Sequence, residues 1–309
     1  MTLYLSDDDV KRVLTTADCV EVLDDLFKQE SRGLVENIPR QRGRYGKVTG
    51  TLMGGAVLGS QAYLVRHSTV SLLYNTETGK LDAILPPNTV AWIRTGAASG
   101  LATKYMARAD SSVVGMIGTG RQSITQLEAI CAVRAIKQVK VYSRSAENRE
   151  KFAREMEDRV GTEVVPVGTT EECVSGSDVV VTITNAREPV FDGNLLEPGM
   201  HINAAGNNGA AKREIDEKTI QRADLIVLDN KDQAQIECGE LITAAANGTF
   251  RWAEAFELHH IVGGKVNGRP SNEAVTLFES QGIGIEDAAA SAFVLKKARE
   301  LGLGQELPF

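Results

Sequence analysis

The N-terminal part of the chain changes from a helical to a strand-like pattern of apolar positions. Apolar residues recur at helical spacing over residues 10–27, with Ser6 as the predicted N-cap and a break at Thr15-Thr16. Short β-rich runs separated by glycines follow over residues 39–74, and Leu81–Leu85 continues this pattern. The sequence therefore predicts helices first and then an antiparallel sheet.

A helix rich in Ala, Gly and Ser is predicted over residues 89–106, and from residue 109 strands and helices alternate. Strands are predicted at 113–117, 138–142, 163–166, 179–184, 201–204, 225–228 and, as the last, 275–278. Helices are predicted at 122–134, 146–159 and 170–175, and at 285–301 with Ala288, Ala289, Phe293 and Leu295 buried. This alternation favours a doubly wound parallel sheet, so we expect an α/β protein in which a second domain wraps around a dinucleotide-type domain.

The strand at 113–117 runs directly into a glycine-rich turn and a helix. The turn reads Gly118-Thr119-Gly120-Arg121-Gln122-Ser123. Gly118 permits a tight turn, and Gly120 lets the backbone approach a pyrophosphate. The helix N-terminus offers N–H groups and a partial positive charge to phosphates. The pattern predicts a nicotinamide dinucleotide site, with a plain structural turn as the alternative.

Selectivity for the ribose is expected at the end of the strand 138–142. An NAD site usually has Asp or Glu there to hold the 2′-hydroxyl. This chain has Ser143, Arg144 and Ser145, and its next carboxylate is Glu147. An arginine between two hydroxyls suits a 2′-phosphate, so we favour NADP over NAD. A solvated arginine on a loop is the alternative.

Several arginines lie outside any obvious charged helix face. Arg40, Arg42 and Arg44 alternate, so in a strand they point to one face, and Arg94 lies in the small-residue helix. Guanidinium groups bind carboxylates through two parallel hydrogen bonds. The pattern is compatible with a small carboxylate-bearing substrate, but by spacing alone surface charge on an edge strand is the favoured explanation.

Composition and motifs exclude several classes of protein. The net charge is −7, which gives no basic field for nucleic acid, and no apolar run approaches the ~20 residues of a membrane span. We therefore expect a cytoplasmic protein without nucleic-acid or membrane partners. The histidines and four cysteines show no ligand spacing, so no metal site is predicted. Hydrolase and kinase motifs such as G-x-S-x-G, H-E-x-x-H and the Walker loop do not occur.

Ordered sequence blocks resemble the ornithine cyclodeaminase/mu-crystallin family over nearly the whole chain. The blocks are residues 39–42, 93–99 with 102–108, 118–122, 206–208 running to 212–216, and 278–287. The resemblance implies a homodimer, a bound NAD(P)(H) and an α-amino or α-imino acid substrate. It also implies a Rossmann domain over residues 111–284, and an α+β substrate-binding and dimerisation domain formed by 1–110 together with 285–309.

The resemblance also implies roles for individual residues. Arg42 and Arg94 match the arginines that grip the substrate carboxylate. Ser280 and Gly282 match the segment near the nicotinamide. Two positions depart from the family pattern, because Gln61 stands where many members have Lys, and Asn208 stands where the cyclodeaminases have an acidic residue.

These departures rank the possible activities. Cyclodeamination of ornithine needs a carboxylate to move protons between steps, and neither Gln61 nor Asn208 can do this. Reduction of a preformed imine needs a carboxylate clamp and an aligned nicotinamide, with Gln61 and Asn208 available as hydrogen-bonding groups. We therefore expect NAD(P)H-dependent reduction of an α-imino acid, cyclic like pyrroline-2-carboxylate or open like iminosuccinate, to an L-amino acid. The alternatives are an alanine-type dehydrogenase, a cyclodeaminase and a non-catalytic, NADPH-binding mu-crystallin-like protein.

Overall fold

A computed structural model describes residues 1–308 and divides the chain into two compact units. The first unit comprises residues 1–94 and the C-terminal residues from 282 onward, and the second comprises residues 95–281. Among the described residues, no helix is both long and apolar enough to cross a membrane.

The elements are numbered in chain order. The strands are β1 (Thr2–Tyr4), β2 (Val35–Tyr45), β3 (Val48–Val57), β4 (Ala62–His67), β5 (Ser71–Asn75), β6 (Leu81–Leu85), β7 (Val113–Ile117), β8 (Gln138–Tyr142), β9 (Glu163–Pro166), β10 (Val179–Thr182), β11 (His201–Ala204), β12 (Leu225–Leu228), β13 (Phe256–Glu257), β14 (Thr276–Glu279) and β15 (Gln305–Leu307). The α-helices are α1 (Asp7–Val13), α2 (Thr16–Glu30), α3 (Pro87–Met106), α4 (Arg121–Val133), α5 (Ala146–Val160), α6 (Thr170–Val174), α7 (Glu217–Arg222), α8 (Lys231–Glu237), α9 (Gly239–Ala246), α10 (Leu258–Val262) and α11 (Gly284–Leu301).

The first unit is a mostly antiparallel sheet packed against helices. Its strand order is β15-β1-β6-β5-β4-β3-β2, and α11 packs on β2, β3 and β4 as well as on α2. Ser6 caps α1 as predicted, since its hydroxyl accepts the N–H of Asp9 and the Asp9 carboxylate accepts the N–H of Ser6. Thr15 and Asp18 form the same capping box at the start of α2, which is the predicted break.

A β-bulge interrupts β2 at the predicted arginine cluster. Ile38 pairs with Gly54, but Gln41 pairs with Leu52, so β2 carries one extra residue between these pairs. Arg40 lies in this bulge and is buried, whereas Arg42 and Arg44 are on the regular strand beyond it.

The second unit is a parallel sheet with a hydrophobic core on each face, which confirms the doubly wound α/β prediction. The strand order is β13-β12-β14-β11-β10-β7-β8-β9. Alternate residues of β7 and β10 serve the two cores, since Val114 and Val181 lie in one cluster and Ile117 and Val180 in the other. The chain order reverses on either side of β7, and such switch points bind ligands at the carboxyl ends of the strands.

Some sequence predictions were wrong or incomplete. The strand at β14 is not the last, because β15 follows and pairs antiparallel with β1. Phe293 of α11 is only partly buried, whereas the neighbouring Val294 is fully buried. The helices α7 to α10 were missed because they are short and lie between buried strands. The helix predicted from Thr89 begins at Pro87, a residue that suits the first helical turn.

Candidate active site

The predicted dinucleotide turn lies between β7 and α4. Gly118 has φ of 121°, and a Cβ there would overlap the carbonyl oxygen of Ile183, so only glycine fits. Gly120 is the N-cap of α4 and makes no side-chain cap, while Thr119, Arg121 and Gln122 complete the turn. A Cβ at Gly120 would meet no protein atom within 4 Å. The backbone is therefore open to a pyrophosphate at the helix N-terminus, and the site fits a dinucleotide.

The residues predicted to select the ribose form a tight turn after β8. The Ser143 hydroxyl donates to the carbonyl of Ser145 at 3.0 Å, and the Ser145 hydroxyl caps α5. Arg149 donates from Nη1 to the carbonyl of Ser143 at 2.9 Å. Arg144 is exposed. The two hydroxyls stabilise the turn, which includes Arg144 and is contacted by the guanidinium of Arg149.

Buried carboxylates, which the sequence did not single out, tie together the loops at the carboxyl ends of β10 and β11. Glu214 accepts the N–H groups of Thr184 at 2.6 Å and Gly206 at 2.7 Å. Glu240 accepts the backbone N–H of Glu214 at 2.6 Å and the side-chain amide of Asn207 at 2.8 Å. These bonds fix the loop that leads to Asn208, which is itself exposed.

Asp229, which directly follows β12, holds the segment that follows β14. Its buried carboxylate accepts the Ser280 hydroxyl at 3.2 Å and the backbone N–H of Gln281 at 2.8 Å. Within the first unit, Arg40 donates to the carbonyl of Gly282 at 2.7 Å. The predicted nicotinamide segment, Ser280 to Gly282, is thus held by a side-chain anchor at each end.

Two arginines of the first unit, Arg40 and Arg94, lie against Gly282. Arg94, in α3, is 4% exposed and pairs with Glu286 at 3.0 Å and with Asp287 at 3.3 Å. Gly282 has φ of 74°, and a Cβ there would overlap the Arg94 guanidinium. Partial burial, together with the like charge of Arg40, lowers the pKa of Arg42. A concentration of guanidinium groups of this kind favours a carboxylate ligand.

Gln61 lies apart from these contacts. It is an exposed residue in the left-handed region, with φ of 51°, and ends the short 3-10 turn Leu58–Ser60. Its side-chain amide donates to Glu77 at 2.8 Å. The structure therefore brings Arg40 and Arg94 together at Gly282, whereas Arg42 is exposed on the strand beyond the bulge and Gln61 has a partner on a surface turn.

Two groups of side chains have donor atoms close enough for a metal ion. They are Glu257 with His259 and His260, and Cys238 with Glu240 and Glu279. In the first group, Nδ1 of His260 accepts the backbone N–H of Glu257, so a metal ion at Nδ1 would break that bond, while Nε2 carries the proton of the neutral ring and has no lone pair for a metal. In the second group, Glu240 already accepts two N–H donors. Local hydrogen bonds account for both groups, and we assign no metal to them.

The raised pKa of Glu214 predicts that the thermal stability of the protein depends on pH. Burial raises this pKa from 4.5 to about 7 although the N–H donors oppose the shift. The folded protein therefore holds this proton more tightly than the unfolded chain does. The protonated Glu214 side chain contributes fully to the free energy of unfolding below pH 4.5, and this contribution is lost as the pH rises through about 7. We expect the Tm of the unmodified protein to fall by several degrees relative to that of Glu214→Gln between pH 5 and pH 8. The corresponding loss in the free energy of unfolding is about 3 kcal/mol at most.

Thermal unfolding of both proteins across this pH range checks the prediction, with the exposed Glu188→Gln as control. A Tm difference that stays constant or grows with pH would show that Glu214 is ionised throughout.

The fold and the glycine turn define a Rossmann-type protein of the dinucleotide-binding class, with a second α+β unit that carries buried arginines. The sequence matches the ornithine cyclodeaminase/mu-crystallin family over residues 2–302, and the chain belongs to this family.

The chain is similar to two kinds of characterised enzyme within this family. A Delta(1)-pyrroline-2-carboxylate reductase of Bacillus cereus is 34% identical over 78% of this chain and 74% of its own length. The structure of a Thermococcus litoralis Delta(1)-pyrroline-2-carboxylate reductase with NADH and L-proline is 33% identical, with a TM-score of 0.95 over 99% of this chain and 100% of that one. An archaeal alanine dehydrogenase dimer with bound NAD is 29% identical, with a TM-score of 0.93 over 100% of this chain and 99% of that one.

Proposed function

We propose that this protein is a nicotinamide-dependent reductase that converts a small α-imino acid into the L-amino acid. The observation that carries the proposal is the presence, in one chain, of a glycine turn open to a pyrophosphate and a buried cluster of arginines around Gly282. Relatives that are pyrroline-2-carboxylate reductases support the same chemistry. The substrate is a cyclic imine such as pyrroline-2-carboxylate or an open imine such as iminosuccinate.

The residues of the chain are assigned to binding and orientation. A bound NAD(P)H supplies the hydride. Arg42 and Arg94 hold the substrate carboxylate, and Ser280 and Gly282 line the nicotinamide. An iminium carbon is already electrophilic, so orientation and a fixed electrostatic environment are sufficient for the transfer. Asn208 serves as a neutral hydrogen-bonding group, and Gln61 is left out because it is bonded to Glu77 on a surface turn.

The two units then divide the work. The unit of residues 95–281 binds the cofactor, and the unit formed by 1–94 and the C-terminal residues binds substrate and dimerises. Four apolar side chains share the face of β2 and β3 opposite Met53 and are exposed, which suits burial against a second copy. They are Ile38, Tyr45, Val48 and Leu52. Light scattering should give the mass of a dimer, and a monomer mass would contradict this assignment.

Oxidation of NADPH and NADH, followed optically, tests the activity. One arm contains pyrroline-2-carboxylate, and the other contains a 2-oxo acid with excess ammonium. Turnover of the imine without ammonium is expected. Turnover only with oxo acid and ammonium would favour an amino-acid dehydrogenase. Cofactor binding without any turnover would favour a ligand-binding protein.

The turn after β8 supports a preference for NADP(H). The sequence has no carboxylate between the end of β8 and Glu147, and the exposed Arg144 can bind a 2′-phosphate through a charge-assisted hydrogen bond. We expect Arg144→Ala to lower the ratio of kcat/KM for NADPH to that for NADH by about 10-fold or more. Arg154→Ala removes an exposed arginine of α5, the helix that follows this turn, and is the matched control. A preference of the unmodified enzyme for NADH, unchanged in Arg144→Ala, would overturn this cofactor assignment.

A further inference from the structure

We propose that Glu286 and Asp287, in the first turn of α11, are positioning residues that fix the orientation of Arg94 for the substrate carboxylate. The inference deepens the proposed function and rests on it. Both carboxylates are essentially fully buried, and both lie on the same guanidinium: Glu286 contacts Nη1 at 3.0 Å, and Asp287 contacts Nε at 3.3 Å. The hydrogen bond at Nη1 and the ion pair at Nε act on two different nitrogens, and together they restrict how the guanidinium can turn.

The first turn of α11 is itself held firmly by the sheet. The backbone N–H of Gly284 donates to the side-chain carbonyl of Asn37, on β2, at 3.1 Å. Gly284 lies so close to the backbone of Gly54, on β3, that a Cβ would not fit, and Ile285 packs against Gly55. The carboxylates therefore stand on a rigid base, as precise placement of a binding group requires.

Asp287 also joins a second arginine to the group. Nη1 of Arg66, on β4, lies 3.1 and 3.2 Å from the two carboxylate oxygens of Asp287. One carboxylate thus links Arg94 and Arg66, and β4 shares in holding the cluster.

Fold stability alone is a weak reason for this arrangement. The cost of removing two carboxylates and two guanidinium groups from water offsets most of their attraction, and apolar side chains often stabilise such a site better. Orientation is a stronger reason, since displacement of a binding group by about 1 Å can cost about 100-fold in rate. Glu286 and Asp287, at the start of α11, lie where they determine the orientation of the Arg94 guanidinium.

A double-mutant cycle on kcat/KM tests the proposal. Glu286→Gln and Asp287→Asn keep the shape of the side chains but remove the charge, and each should lower kcat/KM for the imino acid about 10-fold to 100-fold. The affinity for NADPH, measured by fluorescence, should stay within 2-fold, and the count of cofactor-binding sites normalises the rates. In an Arg94→Lys background the same substitutions should change kcat/KM by less than about 2-fold, because no aligned guanidinium is left to misplace.

Controls separate positioning from a structural role. Asp82→Asn removes the partly buried carboxylate that pairs with Arg299 in the same unit, and it should leave kcat/KM unchanged. Glu286→Asp retains the charge and should recover part of the rate, and it replaces Glu286→Gln if that variant fails to fold. A lower Tm with unchanged kcat/KM would make the carboxylates purely structural.

The remaining outcomes are also decisive. Equal losses in the normal and Arg94→Lys backgrounds would mean that the carboxylates act independently of Arg94, which overturns the inference. No turnover by the unmodified enzyme would overturn the proposed function, and the inference with it. Turnover that both carboxylate variants retain would overturn the inference alone.

Discussion

Arg94→Lys is expected to lower kcat/KM for the imino acid by about 100-fold. Lysine keeps the positive charge between Glu286 and Asp287, so the buried carboxylates are not left unpaired. Lysine lacks the planar guanidinium with which arginine binds both oxygens of a carboxylate. Its ammonium group is a point charge whose hydrogen bonds define no plane. The loss should therefore be catalytic, with a folded protein that still binds cofactor.

Steady-state kinetics with cofactor affinity measured in parallel check this result. Arg299→Lys, an exposed arginine paired with Asp82, serves as the control and should have normal kcat/KM. If Arg94→Lys retained full kcat/KM, Arg94 would not bind the substrate, and the carboxylate clamp would have to be assigned to other arginines.

Gly120→Ala is expected to weaken NADPH binding by 10-fold or more without loss of stability. The φ of Gly120 is −78°, which alanine adopts readily, and its Cβ would meet no protein atom within 4 Å. The methyl group would instead occupy the space into which a pyrophosphate approaches the helix N-terminus. Gly118→Ala should behave differently, because φ of 121° and the Ile183 carbonyl make it destabilising before any ligand binds.

Cofactor titration and thermal unfolding of both variants distinguish these effects. Gly168→Ala, whose added Cβ would make only ordinary contact with Glu172, is the matched control in the same unit. Unchanged NADPH affinity in Gly120→Ala would mean that the cofactor phosphates do not lie against this turn.

Much of the second unit could be predicted because its signals are local. The strands β7, β8, β11 and β12 have the predicted bounds, since buried parallel strands read as short apolar runs between turns. The strand β15 could not be found in this way. It is three residues long, largely exposed and polar, and it exists through its pairing with β1 at the other end of the chain.

In the candidate site too, features formed by consecutive residues could be predicted, whereas contacts between distant parts of the chain could not. The glycine turn is recognisable because strand, turn and helix are consecutive in sequence. The partners of Arg94 are not recognisable, because Glu286 lies 192 positions further along the chain. Likewise, the sequence shows that Glu214 and Asp229 have ionisable carboxyl groups, but only the folded backbone shows that they are buried and accept loop N–H groups. The position of Asp229 directly after a buried strand was the one available signal.

Transfer of deuterium from labelled cofactor tests the central claim most directly. NADPH carrying two deuterium atoms at C4 of the nicotinamide would be incubated with the enzyme and pyrroline-2-carboxylate, and the product analysed by chiral chromatography and mass spectrometry. The account predicts L-proline with one deuterium on its α-carbon. Unlabelled or racemic proline, or bound cofactor that is never oxidised, would contradict it.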